Sequence, residues 1–173
     1  MKFFTVLACC LVIGACAEDE VSDLPPPVAL SASALGHYCQ MDLLEHAGPK
    51  AQIHLTGFPM PIWFSQVRDG IAYIKSAERT ADIVAFYVND MGSAASWESP
   101  GEENWSDANT AFFVVGSDAI GGMGAPELVP FATEQGAKSF VDKRGGKILK
   151  LADIKPSLVL APVEISQNMV GAQ

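Results

Sequence analysis

The N-terminus decides which part of this chain is left to fold. Lys2 precedes an apolar run from Phe3 to Ile13, and the run stops at Ile13-Gly14-Ala15-Cys16. A cationic start, a short apolar stretch and small residues at its end make a secretion signal with a cleavage site. A mature transmembrane helix needs about 20 apolar residues, so this run is too short to persist as one. Residues 1–15 are therefore predicted to be a signal peptide, and the mature chain to begin at Cys16.

A bulky aliphatic, two small residues and a cysteine resemble the lipobox of bacterial lipoproteins, which implies acylation of Cys16 after cleavage. Burial of each acyl CH2 contributes about 0.8 kcal/mol, so several chains on one residue hold a protein to a bilayer without crossing it. The implied location is the periplasmic side of a cell membrane, with the lipid as anchor. The cysteine count then becomes restrictive. Cys9 and Cys10 leave with the signal and Cys16 carries lipid, so Cys39 is the one thiol that remains. An exported protein with one thiol is not a disulfide scaffold, and that thiol is either a buried small hydrophobe or kept for its chemistry.

The full sequence has 11 basic and 20 acidic residues and a formal charge of −9; the signal removes only Lys2, leaving 10 basic against 20 acidic. This balance repels nucleic acid and anionic lipid, so neither is expected as a partner. Ala17 to Ala32 are acidic, then Pro-rich at Pro25-Pro26-Pro27, then small, with no apolar periodicity. Residues 16–32 therefore read as a lipidated spacer with almost nothing to bury.

Beyond the spacer the chain is long enough for one domain or two small halves sharing a core. Ala51 to Thr56 and Pro61 to Phe64 read as strands around a Gly57-Phe58-Pro59 turn. Val67, Ile71 and Ile74 recur at helical spacing with Ser65 as the expected cap, and Ile83 to Val88 is a short buried strand. The order repeats downstream: strands at Ala111 to Val115 and Leu128 to Phe131, a helix from Thr133 to Lys143, and a strand from Lys147 to Leu151. Setting Phe64 over Phe131 also sets Tyr73 over Phe140 and Ile74 over Val141. The fold class expected is α+β, two pseudo-duplicated ββαβ units packed together. The units span 33–91 and 108–162, with 92–107 as a loop between them and 163–173 as a C-terminal tail.

Familiar catalytic patterns are missing: there is no Gly-x-Ser-x-Gly, His-Glu-x-x-His or Cys-x-x-Cys, and the glycines at Gly121-Gly122-Met123-Gly124 lack the Lys-Ser/Thr of a phosphate loop. Catalytic turnover is not expected. The chemistry concentrates at His37-Tyr38-Cys39-Gln40-Met41, which sets an imidazole, a thiol and a thioether at alternate positions. In an extended segment alternate side chains share a face, so the three could converge. Thiolate and thioether are soft donors that select Cu(I), whereas zinc wants more Cys or His ligands than are at hand. Met91 and Met123, each beside glycine in a predicted loop, are the further sulfur donors.

The lipobox, Cys39-Gln40-Met41, Trp63-Phe64 with Arg68-Asp69, Tyr87-Val88-Asn89-Asp90, and Met123-Gly124 followed by Pro130-Phe131 together resemble the accessory lipoproteins of nitrous oxide reductase, the NosL family. The resemblance covers most of the mature chain. It implies a metallochaperone that binds Cu(I) and delivers it in the periplasm for assembly of nitrous oxide reductase, with that enzyme or its membrane assembly complex as partner. Paired ββαβ units are implied as well, and a monomer is expected. Many relatives carry Cys-x-x-Cys-Gly-Met at the central motif; here Gly36 stands at the first Cys and Gln40 at the Gly. That departure weakens any two-thiol mechanism and shifts the metal ligands to Cys39 and Met41, completed by Met123, His37 or Met91. A metal-free scaffold docking on a membrane complex is the competing reading.

Because Cys16 is the only proposed lipid acceptor, Cys16→Ser should convert a membrane-retained protein into a soluble periplasmic one. Cell fractionation checks this, and retention of the variant in the membrane fraction would contradict the lipobox reading.

Overall fold

The structure, a computed structural model, describes residues 24–163. The signal peptide, Cys16 and the end of the tail lie outside these residues. None of the helices described is long and apolar enough to cross a membrane.

Short apolar runs separated by turn residues become two antiparallel sheets. The first takes β1 (Ala51–Leu55), β2 (Ile62–Phe64), β3 (Ile83–Asn89) and β4 (Trp105–Asp107) in the order β2-β1-β3-β4, with α1 (Val67–Lys75) between β2 and β3 in sequence. The second takes β5 (Phe112–Val115), β6 (Val129–Phe131) and β7 (Lys147–Leu149) in the order β6-β5-β7, with α2 (Glu134–Arg144) between β6 and β7. In each, the first strand is central and both neighbours pair to it antiparallel. The alignment of Phe64 with Phe131 is reproduced in register: Ala51 faces Phe64, Phe112 faces Phe131, and the helices follow after the same interval. The mixed α+β class and the repeated ββαβ order are thus as the sequence predicts. A short helix, α3 (Pro156–Leu160), adds to the second unit and packs on α1.

One apolar cluster crosses both units, joining Ile53, Phe64, Val67, Ile71 and Phe86 to Phe113, Leu128, Ile154 and Val159. A smaller one, around Val114, Val129, Phe131 and Ala137, lies under α2. The helices differ for that reason. α1 buries Val67, Gly70, Ile71 and Tyr73 in the shared core, whereas α2 buries Ala137 alone.

Three local expectations are revised. The segment 92–107 is not wholly loop, because Trp105–Asp107 pairs with β3 and extends the first sheet. The end of the spacer is not idle either: Leu30 is buried, and the backbone of Val28 exchanges two 2.8 Å hydrogen bonds with the Gln52 side chain. Every residue of β1 is buried, so Gln52 points into a covered face and its amide needs partners; the incoming backbone supplies both a donor and an acceptor. Tyr87 adds a hydrogen bond from its hydroxyl to the Pro25 carbonyl at 2.8 Å.

The third revision concerns the start of α1. Ser65 does not cap it; Gln66 occupies the cap position and makes no side-chain cap bond. The free amides are instead met from the other unit. Glu127, 2 % exposed, accepts the N–H of Val67 at 3.2 Å and of Arg68 at 2.9 Å, together with its own neighbour Leu128 at 2.9 Å. A helix N-terminus favours an anion. Burial opposes ionisation more strongly here and pushes the Glu127 carboxyl up to about 8, with the three N–H donors pulling the other way.

This pKa sets a pH window. A carboxyl whose folded pKa lies above its unfolded value contributes stability that is present in acid and lost as pH rises towards the folded value. The Glu127 contribution should therefore decline between about pH 4.5 and 8, by at most about 1.4 kcal/mol per pH unit. Glu127→Gln, neutral throughout, should remove that component while lowering stability by about 1–3 kcal/mol, because its NH2 confronts an amide donor. Denaturant unfolding of both proteins across pH 5–8 checks this; parallel pH profiles would contradict it.

Candidate metal centre

The segment expected to be extended folds instead into a tight turn. Gly36 N–H donates to the Met41 carbonyl at 2.9 Å, Gln40 N–H donates back to the Gly36 carbonyl at 2.8 Å, and Leu35 bridges Asp42. The His37 amide and the Gly36–Trp63 bridge tie the turn to β2. The convergence of His37, Cys39 and Met41 on one strand face is thereby overturned, because the period-2 rule holds only for extended backbone.

The turn also accounts for the residues at positions 36 and 40. Gln40 has φ +56°, the left-handed region that glycine adopts without penalty. Its side-chain NH2 donates to the carbonyls of Gly36 and His37 at 3.2 and 2.9 Å, which closes the turn a second time and offsets the strain. At Gly36 a Cβ would lie 2.4 Å from Cys39 Sγ. The glycine gives the sulfur its space.

Cys39 is half-buried, with Sγ 3.7 Å from Ser65 Oγ, and Met41 is 41 % exposed. The His37 ring leans into aromatic neighbours, with centroids 5.6 Å from Phe64 and 5.5 Å from Tyr73. Met123, 37 % exposed, lies on the loop between β5 and β6, and its N–H donates to Gln66 Oε1 at 3.2 Å. That loop touches the first unit closely: a Cβ on Gly122 would be 2.7 Å from His46 Cβ and 3.1 Å from the Ser65 carbonyl. Cys39 and Met123 thus meet consecutive residues, Ser65 and Gln66. Met91 behaves differently. It packs against the second apolar cluster and bonds through its N–H to the Pro130 carbonyl, as a core filler does.

Residues the sequence did not single out support this region. The His46 ring reaches the Gly122 carbonyl through Nδ1 at 3.1 Å, while its Nε2 is buried with no partner, the one such side-chain atom among the described residues. Lys50, buried beneath, donates to the carbonyls of His46, Ala47 and Gly48 and is brought down to about 8 by burial. Asp69, held by the Gln66 NH2 at 3.0 Å, has its carboxyl raised by burial. The visible signal for Glu127 was a charged residue inside an apolar stretch, whereas Gln66, between Ser65 and Val67-Arg68-Asp69, carried no such signal.

Among the described residues no three His, Cys, Asp or Glu side chains are grouped to hold a metal ion. The thiol of Cys39 and the exposed thioethers of Met41 and Met123 are soft donors, the kind that Cu(I) prefers.

A family model described as NosL matches residues 27–159. The chain belongs to the NosL family. It is 52 % identical over 165 residues to the copper-binding lipoprotein NosL of Achromobacter cycloclastes, covering 95 % of this chain and 85 % of that protein. It is 33 % identical over 159 residues to the copper-binding lipoprotein NosL of Stutzerimonas stutzeri, covering 90 % and 81 %. The crystal structure of the copper chaperone NosL from Shewanella denitrificans superposes with a TM-score of 0.70 at 28 % identity, over 76 % of this chain and 98 % of that one. The solution structure of apo-NosL from Achromobacter cycloclastes gives a TM-score of 0.50 at 56 % identity, over 66 % and 91 %. These relatives are named for binding or carrying copper, and none of them is named as an enzyme.

The contact between Gly36 and Cys39 can be checked directly. Gly36→Ala must displace Sγ or open the turn, an overpacking cost of about 1–3 kcal/mol. The Cys39 thiol should then react with a disulfide reagent at a changed rate, and the variant should unfold at lower denaturant. Wild-type values for both would mean that the turn yields without cost.

Proposed function

We propose that this chain is a lipid-anchored metallochaperone that binds Cu(I) and delivers it for assembly of nitrous oxide reductase. The observation that carries the reading is the placement of Cys39 and Met41 on one closed turn, with Met123 attached to the residue beside Cys39's neighbour. Cys39 supplies the anionic thiolate, and Met41 and Met123 supply neutral thioethers. His37, whose ring packs beside Phe64 and Tyr73, is the imidazole that would have to turn out of that packing to supplement them. Met91 is left out of the set because it is engaged in packing. Cys16 is the lipid attachment residue.

The exposure of both thioethers supports a transfer role rather than storage. An ion passed to a partner needs at least one donor that leaves easily, and a neutral thioether binds less firmly than a thiolate. Copper is cargo here. The acceptor is proposed to be nitrous oxide reductase or its membrane assembly complex, reached from the periplasmic face of the membrane.

Anaerobic titration with Cu(I) against a competing chelator tests the reading. Cys39→Ser should abolish most of the affinity, and Met41→Leu, which keeps volume, should weaken it with little change in apo-protein stability. Zn(II) should be lost on dialysis under conditions that retain Cu(I). Affinity should also fall with decreasing pH, because the proton competes with the metal for the thiolate. Undiminished Cu(I) binding in Cys39→Ser would sink the assignment.

A further inference from the structure

Gln66 is 3 % exposed and sits where the two units meet, yet it serves neither the apolar core nor the cap of α1. Its amide is fixed in one orientation. The Nε2 group donates to Asp69 Oδ1 at 3.0 Å, and Oε1 accepts the Met123 N–H at 3.2 Å. A flipped amide would set its NH2 against the Met123 N–H, so the bonding identifies which end is which. The residue before it, Ser65, has its hydroxyl 3.7 Å from Cys39 Sγ.

The loop carrying Met123 can approach this point only because it lacks side chains there. A Cβ on Gly121 would stand 2.6 Å from Gln66 Oε1 and 2.6 Å from Glu127 Oε2. The His46 ring holds the next carbonyl, that of Gly122. The methionine is therefore presented by a glycine-rich backbone that is free to adapt by itself and is pinned at the Met123 amide by one side chain from the opposing unit.

We propose that Gln66 is the positioning residue of the copper site: by accepting the Met123 N–H it sets where the Met123 thioether stands relative to the Cys39 sulfur, and so governs how tightly the ion is retained. This rests on the copper-binding reading above. Gln66 does not touch the ion. Its effect passes through Met123, which separates it from a residue that only stabilises the fold.

A double-mutant cycle tests the proposal with Cu(I) and one competing chelator. Gln66→Leu removes the acceptor while roughly keeping volume, and should weaken Cu(I) binding about tenfold, the scale of one hydrogen bond. In a Met123→Leu background the same change should cost nothing further. Gln66→Glu combined with Asp69→Asn keeps an oxygen facing the Met123 amide and restores a donor to the contact at residue 69, and this pair should bind Cu(I) within about threefold of wild type. Hydrogen exchange in the apo-protein gives a metal-free readout: the Met123 amide should lose protection in Gln66→Leu and keep it in Gln66→Glu/Asp69→Asn. Unchanged affinity in Gln66→Leu, an equal further loss on top of Met123→Leu, or a Gln66→Glu/Asp69→Asn protein as weak as Gln66→Leu would overturn the proposal. Cys39→Ser, run alongside, keeps the two readings apart. If it abolishes binding while Gln66→Leu does not weaken it, only the role of Gln66 fails, whereas unaffected binding in Cys39→Ser fails the copper reading itself.

Discussion

The contact on which the rest of the molecule depends is a buried carboxylic acid of one unit set against the opening turn of a helix in the other. Glu127 joins Val67 and Arg68 to Leu128, so the start of α1 and the start of β6 are fixed to each other at hydrogen-bond distance. An unmet amide at a buried helix end costs about as much as a lost hydrogen bond, and here no residue on the helix's own side meets it. The junction lies inside the apolar core that the two units share, which runs through Val67, Ile71 and Leu128 on either side of it.

The sulfur donors are set around the same junction. Ser65 and Gln66 immediately precede the capped turn of α1; one meets Cys39 and the other meets Met123. The repeat of a ββαβ unit therefore does more than enlarge the core. It brings a loop of the second unit, with its glycines, to the strand-to-helix corner of the first. Residues 39 and 123, far apart in sequence, are thereby each brought into contact with one of two consecutive residues.

Family motifs take on different physical roles in this setting. Asn89 is fully buried and accepts the Lys50 N–H at 2.8 Å, while its NH2 reaches Asn104 at 3.2 Å, so it joins the start of β1 to the acidic segment. Asp90 accepts the N–H groups of Gly92 and Ala132, both at 2.9 Å, again bridging the units. The Tyr87–Asp90 motif is thus a structural joint. The turn at 36–41 shows the opposite case: glutamine holds a left-handed position that suits glycine, and its own side chain supplies the closing bonds.

What the sequence by itself determined was whatever depends on short-range pattern. Apolar runs and their spacing gave β1, β2, α1, β3 and the second ββαβ set, since period-2 and period-3.6 burial are properties of local backbone geometry. The count of cysteines left one thiol, and the softness of sulfur limited the metal. Only the tertiary structure decided where the sulfur side chains lie. The turn at 36–41 depends on a left-handed glutamine that no propensity favours. The covering of β1 by residues 25–30 depends on a buried glutamine needing a partner, and the separation of Met123 from Met91 depends on which loop finds space beside Gln66. Each is a long-range pairing between groups that carry no periodic signal, and so is fixed only once the two units close on each other.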